Sequence, residues 1–227
     1  MNVTTLQPFD LSDAWFQSLN AILYHGALQQ VQRGSYEGTW RKQLDFVTLH
    51  IRRPGNRPLA PFVPQGIVPP TDEEYIERYA TEYLLSPDMA RNTAYTDGER
   101  IHGQLLAAIE RLKKTPQTNQ CCIEIGQPGD FWLDDPPCLR LIQFMVHGVI
   151  LDMYAYFRSW DCWGGLPTNL GGLQLLKEFV CSETGLTDGE IVAVSAGLHL
   201  YDYAWDWAKA RVGFEGLEDA SDTVATG

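Results

Sequence analysis

Positive charge is scarce in this sequence. Lys and Arg number 17 against 29 Asp and Glu, for a formal net charge of -12. Polymeric nucleic acid is bound through a basic footprint, so that class of partner is excluded. A mononucleotide stays open, because two or three local arginines suffice to hold one phosphate. Long apolar runs are missing too. None approaches the roughly twenty residues a membrane span requires, and no membrane association is expected. The opening stretch, MNVTTLQPFD, has neither a basic start nor an apolar core segment, so no secretory signal is expected and the protein is placed in the cytoplasm. The 5 cysteines form no regular framework, and Cys121 and Cys122 are adjacent, which suits a disulfide poorly. Reduced thiols follow, and no pair has zinc-ligand spacing, so no metal is expected. Internal repeats and linker-like stretches are absent as well.

The chain of 227 residues and 25.6 kDa is long enough to bury a substantial core, and its 44% hydrophobic content fits a globular protein. Asp10 to Gln32 reads as an amphipathic helix capped by Asp10 or Ser12, with Trp15, Leu19, Ile22, Leu23 and Ala27 near helical spacing. Leu44 to Ile51 alternates as a strand and stops at Arg52-Arg53-Pro54-Gly55. A proline-rich loop covers 58–70. Thr71 and Glu74 have capping-box spacing and start a helix that stops near Ser86-Pro87. A turn is expected at 95–98 and a second helix over 102–114, then a short strand over 121–125 and a loop over 126–137. Leu139 to Val146 and Val149 to Tyr156 form a strand pair about a glycine turn. A helix over 170–184, a broken strand over 191–201 and a last helix over 203–211 complete the pattern, with an acidic tail from Glu215 expected to be disordered. The expected architecture is α+β, a mixed sheet flanked by helices in a single domain over 1–214.

Chemistry concentrates between Leu133 and Leu173. Cys138 follows a double proline. A thiol becomes a nucleophile when nearby cations favour the thiolate. If Cys138 begins a strand, Arg140 projects from the same face two residues later, and Arg158 approaches from a neighbouring strand. The alternative is a buried structural cysteine, the role expected of Cys121, Cys122 and Cys181 in their apolar runs. Arg158 followed by Ser159 suits an anion, or else Arg158 pairs with Asp161. Asn169 offers a donor and an acceptor side by side, as reading the edge of an amide-like heterocycle requires; it equally suits a helix N-cap before Leu170. His199 and Tyr201 share one strand face, as they also would on a half-solvated strand.

Several of these groups together resemble one family. Pro-Pro-Cys138 followed by Gln143-Phe144, the Arg158-Ser159-x-Asp161 cluster, Gly165-Leu166-Pro167-x-Asn169 and His199-Leu200-Tyr201 are similar, in order and gaps, to the folate-dependent thymidylate synthases and the related pyrimidine nucleotide hydroxymethylases. The likeness runs from Leu112 to Trp207 and is thinner upstream. It implies a homodimer in which Cys138 adds to C6 of a pyrimidine nucleotide monophosphate, so that C5 attacks the one-carbon unit of 5,10-methylenetetrahydrofolate. It implies that Arg158 and Ser159 bind phosphate, with Arg158 also supporting the thiolate. Asp161 would meet the base and, with Gly165, the folate. Asn169 would read the pyrimidine, and His199 and Tyr201 would bind the ribose 3′-hydroxyl. Glu82 resembles the catalytic glutamate, Tyr95 to Arg100 the next active-site turn, and Arg33 or Arg41 the early phosphate arginine.

Departures from the pattern bear on the outcome. Two consecutive arginines that family dimers lend to the partner's phosphate site fall on Asn119 and Gln120, with Arg140 as a substitute cation. The histidine after the cysteine is Leu139, and the turn tyrosine linked to loss of the C5 proton is Asp97. The folate-closing C-terminal segment has no counterpart in the acidic tail. Methylation needs a closed, dry site and hydroxymethylation an admitted water. The lost closure favours water, whereas Asn169 favours uracil over cytosine. The reading is therefore a thymidylate-synthase-type enzyme acting on a uridylate. A dUMP or CMP/dCMP hydroxymethylase is the near alternative, and a catalytically silent nucleotide-binding protein on the same fold is the distant one.

Overall fold

The computed structural model describes residues 1–88 and 96–214, so the acidic tail and Tyr95 of the expected turn lie outside the described residues. In chain order come β1 (Val3–Leu6), α1 (Leu11–His25), β2 (Ala27–Gln30), β3 (Trp40–Gln43), β4 (Phe46–Ile51) and α2 (Glu73–Arg78), which continues directly into a π-helical stretch, Tyr79–Leu85. Then follow α3 (Asp97–Lys114), β5 (Cys122–Glu124), a 3-10 turn (Pro128–Trp132), β6 (Leu139–His147), β7 (Ile150–Phe157) and β8 (Trp160–Asp161). The chain finishes with α4 (Gly165–Thr184), β9 (Thr187–Ser195), β10 (Leu198–Tyr201) and α5 (Trp205–Val212).

Two sheets carry these elements in one α+β domain. The larger is six-stranded and mixed, in the order β1-β4-β9-β7-β6-β5, and the smaller is four-stranded, β2-β3-β10-β8. Alternation along β7, along β6 from Ile142 and along β9 from Ile191 turns Ile142, Phe144, Met153, Ala155, Ile191 and Ala193 into the core. The core also takes the helices through Trp15, Leu19 and Ile22 of α1 and Leu166, Leu170 and Leu173 of α4, all buried. Trp15 donates its indole N–H to the Cys162 carbonyl at 2.9 Å, which ties α1 to the segment after β8.

Several elements differ from the sequence expectation. The first helix stops at His25, not Gln32: Gly26 turns extended (ψ 129°) and the next four residues pair with β3 as β2. Asp72, not Thr71, caps α2 by accepting from the Tyr75 amide at 2.7 Å. The expected turn over 95–98 instead opens α3, whose first residue is Asp97, because Thr96 caps it through the Glu99 amide at 3.1 Å. α4 begins at Gly165, so Asn169 lies inside the helix and is not its N-cap. Asp161 does the capping, accepting from the amides of Trp163, Gly164 and Gly165 at 3.2, 3.1 and 3.1 Å. The expected broken strand is two strands in different sheets, β9 and β10, joined across Gly197 with φ +108°. Cys122, assigned to the core, is exposed, whereas Cys121, Cys162 and Cys181 are buried.

The π-helical stretch has a positional consequence. Widening the helix by one residue per turn swings Tyr79 against α4, where two consecutive glycines make room. A Cβ on Gly172 would lie 2.5 Å from Tyr79 Cδ1, and one on Gly171 would lie 2.8 Å from Ile76 Cγ2. Gly172→Ala should therefore overpack this contact and destabilise the fold by about 1–3 kcal/mol, measured by urea unfolding. A neutral substitution would mean that α2 and α4 slide apart freely.

Candidate active site

Where β7 leaves the large sheet and β8 enters the small one, the chain turns through Arg158 and Ser159. Cys138 sits just before β6 beside this turn. The Arg158 amide donates to the Cys138 carbonyl at 2.9 Å. The Arg158 guanidinium reaches back over the preceding prolines: Nε donates to the Pro137 carbonyl at 3.0 Å and Nη2 to the Pro136 carbonyl. One side chain thereby fixes the approach of the chain to the thiol. The alternative partner, Asp161, is not its ion pair; Asp135 is the nearest carboxylate, at 3.9 Å.

A cavity of about 450 Å³ opens here, lined by Cys138, Arg158, Ser159, Asp161, His199 and Tyr201. Arg33 and Arg41 line it from the other side. Strand register explains the gathering. β10 pairs in parallel with β8, setting His199 beside Asp161, and antiparallel with β3, setting Tyr201 beside Arg41. His199 Nδ1 faces the Gly197 carbonyl at 2.9 Å, so that nitrogen carries the proton. Ser159 Oγ lies 3.5 Å from the same nitrogen. Burial pushes the imidazole below its ordinary value, against the pull of the Gly197 hydrogen bond, so the neutral ring keeps Nε2 as an acceptor. Tyr201 stacks on Tyr36 with ring centroids 4.2 Å apart.

The two candidate early arginines separate clearly. Arg33 is 75% exposed and its Nη2 bonds Asp134 at 3.0 Å. Arg41 has a buried Nε with no hydrogen-bond acceptor among the described residues. A buried cationic donor without an acceptor is costly unless something else meets it.

Four other expected residues fall outside the cavity lining. Asn169 lies behind Asp161: its Oδ1 accepts the Trp160 indole N–H at 2.9 Å, and its Nδ2 donates to the Tyr79 hydroxyl at 2.9 Å. Gly165 is at the same spot, where an added Cβ would approach Asp161 Cβ to 3.3 Å and Asn169 Oδ1 to 3.7 Å. Arg140 does not share the face of Cys138. A register shift between Leu139 and Leu141 turns it away, and Asp130 captures it at 2.9 Å. Asp130 also takes a fork from the nearly buried Arg100 at 2.8 and 2.9 Å, which holds its carboxyl down to about 2. Glu82 is exposed on the π-helical stretch and lines no part of the cavity.

Sequence reasoning missed three features. Tyr79 reads as one aromatic of an amphipathic stripe, and only the π-helical turn sends it to Asn169. Trp160 occupies the unassigned place in the Arg-Ser-x-Asp cluster, yet its indole orients the Asn169 amide while its ring stacks on Phe157 at 3.9 Å. Asp134 and Asp135 precede the prolines as a visible acidic pair. They clasp the 33–36 loop through Arg33–Asp134 and Ser35 Oγ to Asp135, both 3.0 Å.

These carboxylates set the thiol's state. Cys138 reaches solvent through the cavity mouth, but protein on its other sides desolvates the thiolate and pushes its pKa up. Arg158 opposes that rise, while Asp135, Asp97 and Asp161 add to it. Asp97 is itself lifted to about 6, by burial first, with Arg100 opposing.

Comparison with known proteins points to one family. The family profile for thymidylate synthase matches residues 75–215. A protein of Methanosarcina acetivorans described as "Putative thymidylate synthase" is 30% identical over 204 residues, covering 87% of this chain and 89% of its own length. Proteins of the same description from Methanothermobacter thermautotrophicus and Methanopyrus kandleri are 30% and 27% identical, covering 85% of this chain in each case and 91% and 90% of their own. This likeness supports an enzyme of methyltransferase type. The chain belongs to the thymidylate synthase family.

Asp135→Asn should lower the thiol pKa. Iodoacetamide labelling of Cys138 at neutral pH, followed by peptide mass spectrometry, should then run severalfold faster. Unchanged labelling would show that the carboxylate does not act on the sulfur.

Proposed function

We propose that the protein transfers a one-carbon unit from 5,10-methylenetetrahydrofolate to C5 of a uridylate, through a covalent bond between Cys138 and C6 of the ring. The observation that carries this reading is the single cavity in which the thiol, the Arg158 guanidinium, Ser159, His199 and the unsatisfied Arg41 Nε converge. Arg41, Arg158 and Ser159 bind the phosphate; of the two early arginines, Arg41 is the one with hydrogen-bonding capacity to spare. His199 Nε2 accepts from the ribose 3′-hydroxyl, with Tyr201 beside it. Arg158 positions the sulfur through the proline carbonyls and favours its ionised form. Binding of the phosphate displaces Asp135 from the cluster, which removes one charge that opposes the thiolate.

Asn169 reads the base from behind Asp161. The Trp160 indole holds Oδ1 in place, so the amide is oriented before the ring arrives. The folate supplies the one-carbon unit when bound. A flat heterocycle suits the exposed rings of Phe131 and Trp132, which are 85% and 77% exposed. Phe131 also lines a second cavity of about 740 Å³ that shares Arg158 and Pro136 with the first. Asp161, with Gly165 packed against it, completes the folate side. Asp97, near half-ionised at pH 6, stands at the turn position linked to removal of the C5 proton.

A homodimer is part of the proposal. On the outward face of the six-stranded sheet, Leu141, Tyr154, Tyr156, Val192 and Val194 lie side by side in register and only partly covered. An apolar strip of this kind on a chain of net charge -12 fits a second copy of the same surface. Light scattering should give about twice the chain mass, and Tyr154→Asp should shift it to the monomer.

The second reading keeps the same covalent step and ends with water, as a dUMP or CMP/dCMP hydroxymethylase. Its support is the polar cavity, with Cys138 exposed and Asp134 and Asp135 in the lining. Tritium release from C5-labelled dUMP, UMP, dCMP and CMP with folate present tests the shared step. Release is expected, Cys138→Ser should abolish it, and no release from all four would leave only a silent nucleotide binder. Dihydrofolate absorbance then separates the products, since methylation alone forms dihydrofolate.

Two further outcomes refine the roles. Asn169→Asp should move base preference towards cytosine, and unchanged selectivity would remove Asn169 as the reader. Tritium release should fall as pH drops through about 6, because Asp97 loses its ionised form there, and Asp97→Asn should flatten that limb.

A further inference from the structure

The large sheet has a second charged cavity at its other end. Cys138 lies where β7 ends, while the start of β7, the start of β9 and the end of β4 meet at the opposite edge. There a cavity of about 630 Å³ is lined by Phe9, Arg52, Arg53, Asn56, Asp188 and Glu190. Its acidic members are already committed. Asp188 lies 3.2 Å from the buried Lys177 and accepts from Gln174 at 2.9 Å, and Glu190 bonds His50. Its two adjacent arginines are not. Neither forms an ion pair with any described residue, and Arg52 only lies over the Phe9 ring at 5.8 Å. Two uncommitted guanidiniums together on a chain of net charge -12 leave this wall positive against an acidic background.

The wall is also rigid. The Arg53 amide donates to the Phe9 carbonyl at 2.7 Å, the Asn56 amide to the Arg53 carbonyl at 3.2 Å, and Arg57 Nη1 to the Gly55 carbonyl at 2.8 Å. Arg57 is anchored in turn by Glu178 at 2.7 Å. The tip packs closely on its neighbours, since a Cβ on Gly55 would come within 2.9 Å of Asp188 Oδ2 and 3.2 Å of Gln174 Nε2. A loop held this way presents its donors without first having to be ordered, which lowers the cost of binding.

We infer that this cavity is an anion site, separate from the Cys138 cavity, in which Arg52 and Arg53 bind the phosphate of a phosphate-bearing ligand. Guanidinium forks match phosphate oxygens in pairs, and the side-chain carboxamide of Asn56, which lines the same cavity, adds a donor beside them. The Phe9 ring offers a flat surface on which a base carrying that phosphate would stack, so free phosphate and a nucleoside monophosphate are the two sources to separate.

The test is a titration of the full-length protein, labelled with nitrogen-15, with inorganic phosphate and then with a nucleoside 5′-monophosphate, followed by amide chemical shifts. Saturable movement of the Gly55, Asn56 and Gly189 amides is expected. Arg52→Gln with Arg53→Gln should weaken it at least tenfold while leaving the KM for the nucleotide substrate unchanged. Both positions are exposed, and circular dichroism checks that the double variant folds. Tighter binding of the monophosphate than of phosphate would assign the Phe9 surface to a base; equal binding would assign the site to phosphate alone. The inference is overturned if only amides around Ser159 and Gly197 respond, if the double variant binds as tightly as the parent, or if it raises the KM for the substrate.

Discussion

A guanidinium bound to two consecutive carbonyls organises this molecule's chemistry. Arg158 holds Pro136 and Pro137 through its side chain and Cys138 through its backbone, and so joins the end of β7 to the segment that leads into β6. Prolines cannot offer amide hydrogens, so their carbonyls are the only backbone groups available there, and an arginine is the side chain that can take both. The Cys138 sulfur, the cation beside it and the turn into the small sheet are consequently one rigid unit. His199 and Arg41 arrive from the small sheet, held by the pairing of β10 with β8 and β3.

Charge in the cleft is balanced between opposing demands. A thiolate needs the cation, yet three carboxylates lie close enough to disfavour it. Burial and these carboxylates together favour the protonated sulfur, and Arg158 alone among the nearby charges of the described residues opposes them. Asn169 shows the same economy of partners: both ends of its amide are occupied, by Trp160 and Tyr79, before any base is present. An amide held at both ends cannot flip without breaking both bonds, so its orientation is set by the fold itself.

Much of this was legible in the residues. The alternation of β6 and β7, the spacing of Arg158, Ser159 and Asp161, and the shared face of His199 and Tyr201 led to the cavity that the fold assembles. Arg140 misled because a register shift in β6 breaks the two-residue rule by which side chains share a face, and periodicity carries no sign of such a shift. Asn169 was ambiguous because helix capping and base reading demand the same amide. The capping went to Asp161, whose side chain lies outside the helix and can reach three amides at once. Tyr79 was invisible because a π-helical turn inside a helical pattern leaves no periodic trace over seven residues. The early end of α1 was open to notice at Gly26, but a four-residue strand with no alternation of burial gives little to detect.

The clasp between Asp134, Asp135 and the 33–36 loop has a consequence for how ligands arrive. Most acidic proteins repel a dianion, and added salt eases its approach. Here Arg33 and Arg158 already face Asp134 and Asp135, at 3.0 and 3.9 Å, so an anion binding to these two arginines would take the place of carboxylates that can move out into solvent. Local charge changes little in such an exchange. Under the proposed function, ionic strength would then lose most of its leverage on affinity, and selectivity would rest on geometry: a tetrahedral group meeting Arg41 and Arg158 together gains a hold that planar carboxylates lack.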